Sequence, residues 1–371
     1  MKILLLGDYS NCHACLATGL RRLGHDTVVA SDGGGFMKTD YTLSLRRPLP
    51  GPPGGALLYA RMMSSGRLRG YDVVSLIAPS FASLRPSRLR QVYRKLRKYN
   101  GAVFLNASGT DKAFMDMVLG ARSPLRYNEY FLAPGVPNTR NAAVLEADRM
   151  WCSGAIADWC DELYGSVDGI TTALYEYHKA FEILGRPVPL QYVGIPVDLK
   201  AVQSLSRPVA ADGKVRLFLG RHSHRMAFKG TDILGDVAAR VVAEHPDVAS
   251  LDIVEDLPYA QYVQRMRSAD VIIDQLYSYS PATNALLAMA AGQAVVSGGE
   301  EDYYNFIGED KLRPIINVTP DPGQIYDTLT AAVLDREDIR RRASQGREFV
   351  SRHNDVELVA ARSVKFWESR L

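Results

Sequence analysis

The amino-acid sequence predicts an α/β protein with two domains, each built on a parallel β-sheet that helices cover. Short apolar runs such as Val215–Leu219 and Val271–Ile273 lack the polar alternation of a half-exposed strand, which is typical of strands buried in a parallel sheet. Strands alternate with segments of helical periodicity, and both halves of the chain repeat this order. At 371 residues the chain is long enough for two hydrophobic cores.

The clearest strand-helix-strand unit lies between residues 271 and 297. A polar loop follows the strand Val271–Ile273, and Ser280 with Pro281 is typical of the N-cap and first residue of a helix. Gly292 is expected to end that helix, and Ala294–Val296 begins the next strand. Because the helix starts at the carboxyl end of a parallel strand, we expect its free N–H groups where open α/β sheets bind anions.

Composition excludes several classes of protein. A hydrophobic content of 47% is ordinary for a globular protein, and a net charge of +3 does not by itself indicate a nucleic-acid partner. The first residues stop being apolar too early for a secretory signal, and no run approaches the roughly 20 apolar residues of a membrane span. We therefore expect a cytoplasmic protein with free thiols. Cys12 and Cys15 have C-x-x-C spacing, but no second pair completes a zinc site, so no metal is expected.

The first 30 residues predict a β-α-β unit. Lys2–Leu6 is an apolar strand, Gly7–Asn11 is a loop of small and polar residues, and Thr27–Ala30 is the second strand. The helix between the strands has leucines on one face and ends at Gly24. The fingerprint G-x-G-x-x-G is absent after the first strand, which disfavours a dinucleotide-dependent dehydrogenase.

Residues 33–70 are predicted to be irregular, because Pro48–Gly55 concentrates prolines and glycines. The arginines of this stretch could face phosphate or lipid headgroups, or could be solvated charge. They are Arg46, Arg47, Arg61, Arg67 and Arg69.

Residues 85–98 predict a basic amphipathic helix. Its apolar face consists of Leu89, Val92, Tyr93 and Leu96. Two interpretations stay open. The helix either covers the sheet and leaves its basic face in solvent, or makes a peripheral contact with an anionic membrane surface.

Two further features of the first half concern the edge of the sheet and the domain boundary. The predicted strand Ala102–Asn106 leads into a Ser-Gly-Thr-Asp turn, so Asp111 either presents a carboxylate at the sheet edge or caps the next helix. Asn138–Leu163 predicts one long helix. The Pro- and Gly-containing stretch Pro187–Asp198 predicts a domain boundary.

The second half begins with two cations on either side of a loop. The strand Val215–Leu219 leads into Gly220 and Arg221, and Lys229 with Gly230 precedes a helix. Two fixed cations at this edge of the sheet could bind an anionic ligand without a metal. The alternative is a pair of surface cations that flank a loop. Later in the chain, residues 298–303 predict an acidic, flexible turn.

Three of these segments resemble a known family. Leu287–Val296 (LAMAAGQAVV), the order Gly-Arg, loop, Lys-Gly at 220–230, and the turn Gly194–Asp198 are similar to motifs of the retaining nucleotide-sugar glycosyltransferases of family four. The resemblance implies the GT-B fold, in which two Rossmann-like domains have parallel sheets that face a central cleft. It places an acceptor-side domain at 1–197, with a C-terminal helix at 355–371 that packs back on it through Trp367. The donor domain is placed at 198–354.

The resemblance also implies roles for individual residues. Arg221 and Lys229 would hold the donor diphosphate, and Asp111 would lie near the donor sugar. The residues implied in donor binding are Gly7, Asp8, Gly220, Tyr279, Ser280, Ala282, Thr283 and Asn284. The family has two glutamates in this region, one for the donor sugar and one for the ribose, and this chain has Tyr279 and Leu287 in their places.

The expected function is transfer of a hexosyl group from a nucleotide-diphosphate sugar to a glycan or lipid-linked acceptor. The resemblance implies retention of configuration, no metal or other cofactor, and a place in surface polysaccharide or glycolipid synthesis. The alternative is a GT-B protein that binds nucleotide or glycan without catalysing transfer, because the glutamate pair is absent. Tyr277, Tyr279, Asn284 or the turn Glu300–Asp302 could replace those carboxylates.

Overall fold

The computed structural model describes residues 1–37, 39–203 and 213–371. They form two compact units, each with its own parallel sheet. The first unit comprises residues 1–123, 147–198 and 356–371, and the second comprises residues 124–146 and 199–355.

The first unit begins with alternating strands and helices. They are β1 (Lys2–Leu6), α1 (Cys12–Arg22), β2 (Asp26–Ser31), β3 (Leu43–Ser44), α2 (Gly51–Ser64), β4 (Val73–Leu76), α3 (Pro86–Tyr99), β5 (Ala102–Ala107) and α4 (Lys112–Leu119). The apolar runs β1, β4 and β5 are buried at almost every position, as expected of strands that helices cover on both faces.

Residues 124–146, here called the arm, leave the first unit and pack on the second. The arm contains a short antiparallel hairpin and the start of a helix: β6 (Phe131–Ala133), β7 (Val136–Pro137) and α5 (Ala142–Asp148). Asn141 Nδ2 donates to the carbonyl of Ala227 at 2.9 Å, and Arg140 pairs with Asp232 at 2.5 Å. The sequence predicts this segment in the first domain, at 1–197, because no local signal marks a departure from it.

The chain then returns to the first unit. Its elements there are α6 (Gly154–Tyr164), β8 (Gly169–Thr172), α7 (Tyr175–Leu184) and β9 (Leu190–Tyr192). The prediction of one helix over 138–163 is wrong. The helix is interrupted where Ser153 is extended and Gly154 has φ 63°, a left-handed conformation that ends an α-helix.

The second unit has five parallel strands. Its elements are α8 (Leu199–Gln203), β10 (Val215–Arg221), α9 (Met226–Lys229), α10 (Thr231–Glu244), β11 (Ala249–Glu255), α11 (Tyr259–Met266), β12 (Val271–Ile273), α12 (Thr283–Ala290), β13 (Ala294–Ser297), α13 (Glu301–Ile307), β14 (Ile315–Asn317), α14 (Pro322–Leu334) and α15 (Arg336–His353). The chain ends with α16 (Val356–Glu368), which belongs to the first unit. There Trp367 is buried, with its ring 6.1 Å from that of Phe104.

Each sheet has one point where the strand order reverses. The first sheet runs β3-β2-β1-β4-β5-β8-β9, and the second runs β11-β10-β12-β13-β14. In the first sheet the chain moves outwards from β1 and then crosses to β4. In the second it moves from β10 to β11 and then crosses to β12. In open α/β sheets such a reversal leaves a crevice at the carboxyl ends of the two strands, where ligands bind.

The stretch 33–70 is more regular than predicted, because residues 51–64 form the helix α2. Pro52 and Pro53 lie in the first turn of this helix, where a missing N–H removes no intrahelical bond. Three of the five arginines predicted there, Arg47, Arg61 and Arg69, contact nearby groups of the same unit. Arg61 Nη2 donates to the carbonyls of Ser44 and Arg46, both at 2.9 Å.

The amphipathic helix is confirmed as α3, and its predicted apolar face is buried. Arg90 lies 2.6 Å from Glu162, Arg94 lies 3.4 Å from the same carboxylate, and Arg97 pairs with Asp168. These ion pairs lie within the first unit. They match the interpretation of α3 as a helix that covers the sheet.

Candidate functional site

The switch point of the second sheet brings together residues from three loops. Gly220 and Arg221 end β10, and Asp274 follows β12 directly. Lys229 ends α9, which leads into α10 through Gly230. Gly230 has φ 68°, and a Cβ there would lie 2.6 Å from Leu276 Cβ, so this turn requires glycine.

Lys229 is held by a buried carboxylate. Its Nζ is 3.7 Å from Oδ1 of Asp274, whose side chain is only 2% exposed. Asn284 donates to the same Oδ1 at 3.1 Å, and the hydroxyl of Tyr262 donates to Asn284 at 2.8 Å. Asp274 Oδ2 has no hydrogen-bond partner among the described residues. The switch point therefore contains the amino group of Lys229, the buried carboxylate of Asp274 and the amide of Asn284, whose orientation is fixed by its two hydrogen bonds.

Arg221 is separately placed at the edge of the same sheet. Its Nε donates to Glu255 at the end of the neighbouring strand β11, at 3.0 Å. A Cβ on Gly235 of α10 would lie 3.6 Å from Arg221 Nη1. Because one side of the guanidinium is fixed by Glu255, the remaining N–H groups keep a defined direction.

Gly220 is required by packing. A Cβ at this position would overlap the ring of Tyr262, which also packs edge-on against Phe218. The same tyrosine orients Asn284. The glycine predicted from the resemblance thus lets an aromatic ring approach the β10 backbone and reach the switch point.

The helix α12 starts later than predicted. The expected N-cap Ser280 is buried and lies ahead of the helix, while Ala282 occupies the N-cap position and Thr283 is the first helical residue. Ala282 has no side-chain oxygen that could accept from the first N–H groups of α12. Residues 276–280 instead form a buried, irregular segment with bends, so tertiary packing overrides the Ser-Pro signal. The N-terminus of α12, with Thr283 and Asn284, is consequently open to an acceptor of hydrogen bonds.

Tyr279, which stands in place of the first family glutamate, is buried in a polar cluster that includes the arm. Its hydroxyl accepts from the backbone N–H of Arg126, and its ring lies 5.1 Å from that of Tyr127. Burial raises the pKa of the Tyr279 hydroxyl. Leu287, in place of the second glutamate, is half-buried on α12.

The same cluster supplies a carboxylate at Glu300, which is 6% exposed. It accepts from the hydroxyl of Tyr127 at 2.7 Å and from Asn317 Nδ2 at 3.1 Å, and it pairs with Arg126. The expectation of a flexible turn at 298–303 is wrong. Gly299 N–H donates to Asn317 at 2.8 Å, Glu300 N–H donates to Tyr279 O at 3.1 Å, and a helix follows at once.

Three residues of this site were not predicted. Arg126 and Tyr127 lie more than 150 positions from Tyr279 in the chain, and no local pattern indicates that they meet. Asp274 had a signal, because it is the first polar residue after the apolar strand β12 and therefore lies at the carboxyl edge of the sheet.

In the first unit, Gly7 and Asp8 follow β1 at that sheet's own switch point. The carboxylate of Asp8 accepts from the N–H groups of His13 and Ala14 at 3.1 and 3.0 Å. Burial raises its pKa to about 6 against the lowering effect of these bonds. His13 is fully buried with its Nδ1 2.7 Å from Gly7 O, and burial lowers its pKa to about 4.

Asp111 lies in the first unit as the N-cap of α4. Its Oδ1 accepts from the N–H of Phe114 at 3.1 Å, and the residue is 2% exposed. Burial raises its pKa to about 6, although the Phe114 bond favours the charged form. The structure therefore shows the capping geometry, and the role near a donor sugar stays a prediction.

Within the described ranges, no group of three His, Cys, Asp or Glu side chains is arranged to hold a metal ion. In the same part of the chain, no helix is long and apolar enough to cross a membrane.

Comparison with solved structures identifies the fold. Anabaena Alr3699/HepE, solved in complex with UDP and glucose, matches over 100% of both chains with a TM-score of 0.61 and 13% identity. Sucrose-phosphate synthase from Thermosynechococcus elongatus matches over 100% of this chain and 99% of its own, with a TM-score of 0.63 and 12% identity. An α-glucosyltransferase in complex with UDP-glucose and DNA matches over 99% of both chains, with a TM-score of 0.56 and 11% identity.

No model of a protein family matches the sequence, and no curated protein matches it either. The structural neighbours are GT-B glycosyltransferases, and at these identities the likeness concerns the fold. The chain has the predicted GT-B fold of two α/β units with parallel sheets.

Proposed function

We propose that this protein is a glycosyltransferase that takes a hexosyl group from a UDP-sugar. The observation that carries the proposal is the switch point of the second sheet, where Arg221, Lys229 and the open N-terminus of α12 supply positive charge and N–H donors. Neighbours that share the fold were solved with UDP or UDP-glucose, which supports uridine as the base.

The chemistry follows from these groups. As the bond from the anomeric carbon to the diphosphate breaks, negative charge grows on the diphosphate oxygens. The guanidinium of Arg221 would form paired hydrogen bonds to these oxygens, and Lys229 would act as a point charge. N–H groups of Thr283 and Asn284 would complete the site. Preorganised donors of this kind stabilise developing charge without a metal.

We further propose retention of configuration. In this mechanism the departing diphosphate, rather than a protein base, accepts the proton of the acceptor hydroxyl that attacks the same face. The carboxylate of Asp8 accepts from two backbone N–H groups, and Asp111 is only 2% exposed, which supports a route that needs no protein base. The acceptor is proposed to be a glycan or lipid-linked saccharide in polysaccharide or glycolipid synthesis.

The absent glutamate pair is proposed to be replaced by residues of the second unit. Asp274 Oδ2, which has no hydrogen-bond partner among the described residues, would accept from a hydroxyl group of the donor sugar, a group that UDP itself lacks. Glu300 lies in the cluster of Tyr279. A hydrogen bond to a charged group contributes about 1.5–3 kcal/mol, so one such carboxylate can supply what one missing glutamate would.

A GT-B protein that binds nucleotide without transferring sugar is the second candidate. The apolar side chain of Leu287, where the family has a ribose-binding carboxylate, favours it. The two candidates differ in one assay, because only the enzyme converts a UDP-sugar to UDP in the presence of an acceptor or, slowly, of water.

We propose a cytoplasmic location and no cofactor. A membrane contact through residues 85–98 gains little support, because Arg90, Arg94 and Arg97 already pair with carboxylates of their own unit.

Calorimetric titration with UDP, with and without magnesium, tests the donor site. Arg221→Ala and Lys229→Ala should each weaken UDP binding by about 10- to 100-fold, the equivalent of one charge-assisted contact. Arg240→Ala is the matched control, because Arg240 is a solvent-exposed cation of α10 that pairs with Glu244. Equal UDP affinity in all four proteins would refute the clamp, and a requirement for magnesium would refute the metal-independent mechanism.

A further inference from the structure

The first unit contains a long stretch that is almost free of negative charge. From Tyr41 to Thr110 the only acidic residue is Asp72. The basic residues of the same stretch are Arg46, Arg47, Arg61, Arg67, Arg69, Arg85, Arg88, Arg90, Arg94, Lys95, Arg97 and Lys98. In a chain whose net charge is only +3, this stretch therefore carries a large local excess of positive charge.

Several of these cations are satisfied within the fold. Arg90, Arg94 and Arg97 pair with carboxylates of the first unit, and the amino group of Lys95 donates to three backbone carbonyls. Arg69 stacks on the ring of Tyr99 at 4.0 Å. Each of these contacts fixes the position or compensates the charge of one side chain.

Arg47 and Arg88 are arranged differently. The two guanidinium groups converge over Gly55 in α2, where a Cβ would lie 3.6 Å from Arg88 Nη1 and 3.8 Å from both Cζ and Nη2 of Arg47. No carboxylate of the described residues pairs with either group. Two guanidinium groups that both lie within 4 Å of the same point repel each other unless an anion lies between them.

Both arginines are held in place. Arg47 donates through Nε and Nη2 to the carbonyl of Ser83, at 2.8 and 2.6 Å, which leaves Nη1 for another partner. Arg88 lies 5.5 Å from the centre of the Tyr59 ring. Both side chains are half-buried, so their motion is limited before any ligand arrives. Gly55 keeps the space between them open, because any other residue would direct its Cβ into it.

The pair lies at the ligand-binding edge of the first sheet. Arg47 follows the carboxyl end of β3, and Ser83 belongs to the loop that follows the carboxyl end of β4. The same loop contacts the switch point, where the hydroxyl of Tyr9 is 2.9 Å from Ser80 Oγ. One loop therefore connects the arginine pair with the residues that follow β1.

We propose that Arg47 and Arg88 form a phosphate subsite. Two guanidinium groups match a dianionic phosphate ester in charge, and Arg47 Nη1 and the guanidinium of Arg88 retain N–H groups that can donate to its oxygens. A carboxylate carries one negative charge and would leave the pair with net positive charge. If the proposed function is correct, this phosphate belongs to the acceptor, so the acceptor is a phosphorylated molecule.

The test is arginine labelling with phenylglyoxal, followed by peptide mass spectrometry that reports the rate at each arginine. Inorganic phosphate and glycerol phosphate should slow the labelling of both Arg47 and Arg88 by at least about fivefold, because charge-assisted contacts cover the reactive nitrogens. Arg85 is the internal control, because it is exposed and lies three residues from Arg88. The proposal is overturned if no phosphate compound slows Arg47 and Arg88 more than Arg85.

A second set of samples identifies the source of the phosphate. Vesicles of phosphatidylcholine with phosphatidic acid are compared with vesicles of phosphatidylcholine alone. Protection by the small phosphate esters supports a soluble phosphorylated ligand. Protection by phosphatidic acid vesicles alone supports a lipid headgroup, whereas equal protection by both vesicles reports contact with a surface and contradicts a phosphate site.

Variants separate this proposal from the donor site. Arg88→Gln should abolish the phosphate-dependent protection of Arg47, and Arg88→Lys, which keeps the charge, should retain part of it. UDP should protect Arg221 in wild-type protein and in both variants. If UDP protects nothing while phosphate still protects Arg47, the proposed function fails and the subsite stands. If UDP protects Arg221 but phosphate does not protect Arg47, the subsite is refuted and the proposed function stands.

Discussion

The two sheets of this protein have equivalent switch points that are filled with opposite chemistry. In the first unit, the loop after β1 places the carboxylate of Asp8 on the N–H groups of His13 and Ala14, so the start of α1 is already occupied by an anion of the protein itself. In the second unit, the N-cap of α12 is Ala282, which has no side-chain acceptor. Lys229 contacts Asp274, which in turn accepts from Asn284 in the first turn of α12.

In both sheets the strand order creates a crevice at the carboxyl ends of the strands, and the side chains around that crevice decide which ligand binds there. A helix N-terminus stabilises one negative charge, and a second anion next to Asp8 would meet its repulsion. At the second switch point the N–H groups remain open and the nearby cations favour an anion. The difference explains why we assign the diphosphate to the second unit.

Substitution of Gly7 tests how rigid the first switch point is. Gly7→Ala should destabilise the protein by about 3–4 kcal/mol, because alanine is strained at φ 80° and its Cβ would lie 2.5 Å from Ile77 Cγ2 and 2.9 Å from the carbonyl of Phe81. The measurement is thermal unfolding followed by circular dichroism.

Gly24→Ala provides the matched control for that experiment. Gly24 has φ 85°, and no atom lies within 4 Å of its Cβ position, so this variant reports backbone strain alone, about 1–2 kcal/mol. Equal losses of stability in the two variants would show that the loop after β1 adjusts to an added Cβ. The first switch point would then not be rigid, and its contrast with the second would no longer hold.

The buried carboxylate of Asp111 provides a test through pH. Its pKa is raised to about 6 in the folded protein, mainly by burial, so the folded state binds a proton more tightly than the unfolded state. The stabilising contribution of that proton is complete below the unfolded pKa near 4 and is lost as pH rises through about 6. Asp111→Asn, which keeps the cap, should therefore gain stability relative to wild type by about 2–3 kcal/mol between pH 4 and pH 7.5.

Calorimetric unfolding of both proteins across this pH range is the measurement. A constant difference between wild type and Asp111→Asn would contradict the raised pKa. Turnover adds a second readout, because a residue that only caps α4 leaves kcat unchanged after this substitution, whereas a group that contacts the donor sugar does not.

The smallest expected effect concerns Asp274. Asp274→Asn removes a negative charge near the proposed diphosphate and releases Lys229, while the amide oxygen can still accept from Asn284. UDP should then bind about three- to tenfold more tightly, roughly 1 kcal/mol for a partly screened charge. Weaker binding would show that Asp274 instead accepts a hydroxyl group of the nucleotide.

Asp270→Asn is the control for this titration. Asp270 precedes β12, at the opposite edge of the sheet, where its carboxylate accepts from the N–H of Arg216 at 2.9 Å. Its substitution should leave UDP affinity unchanged. A change of similar size in both variants would indicate an effect of net charge rather than of position.

Local patterns in the sequence determined much of the fold. Apolar runs predicted the central strands of both sheets, and the helical spacing of α3 predicted the face that is buried. Gly292 ends α12 with φ 79°, as its residue type predicts. These features depend on interactions between residues that are close in the chain, so they can be predicted from the local sequence. Local patterns also placed Arg221 at the end of a strand and Lys229 before a helix, whereas their assignment to a diphosphate depends on the family resemblance.

Signals of the same kind failed where distant contacts compete with them. Prolines that predicted a loop lie in the first turn of α2, and the Ser-Pro signal before α12 yields to the packing of residues 276–280. The two glycines at 298–299 predicted flexibility, but a Cβ on Gly298 would overlap the carbonyl of Ser278, so close packing explains that residue.

The sequence by itself determined the α/β class of the fold and the central strands of both sheets, and it marked the two candidate cations Arg221 and Lys229. Only the tertiary structure placed the arm on the second unit, Arg126 beside Tyr279 and Arg47 beside Arg88. The physical reason is the range of the interactions. Hydrophobic periodicity and capping act within one or two turns of chain, whereas an ion pair or a buried hydrogen bond between residues far apart in sequence depends on how complete elements pack.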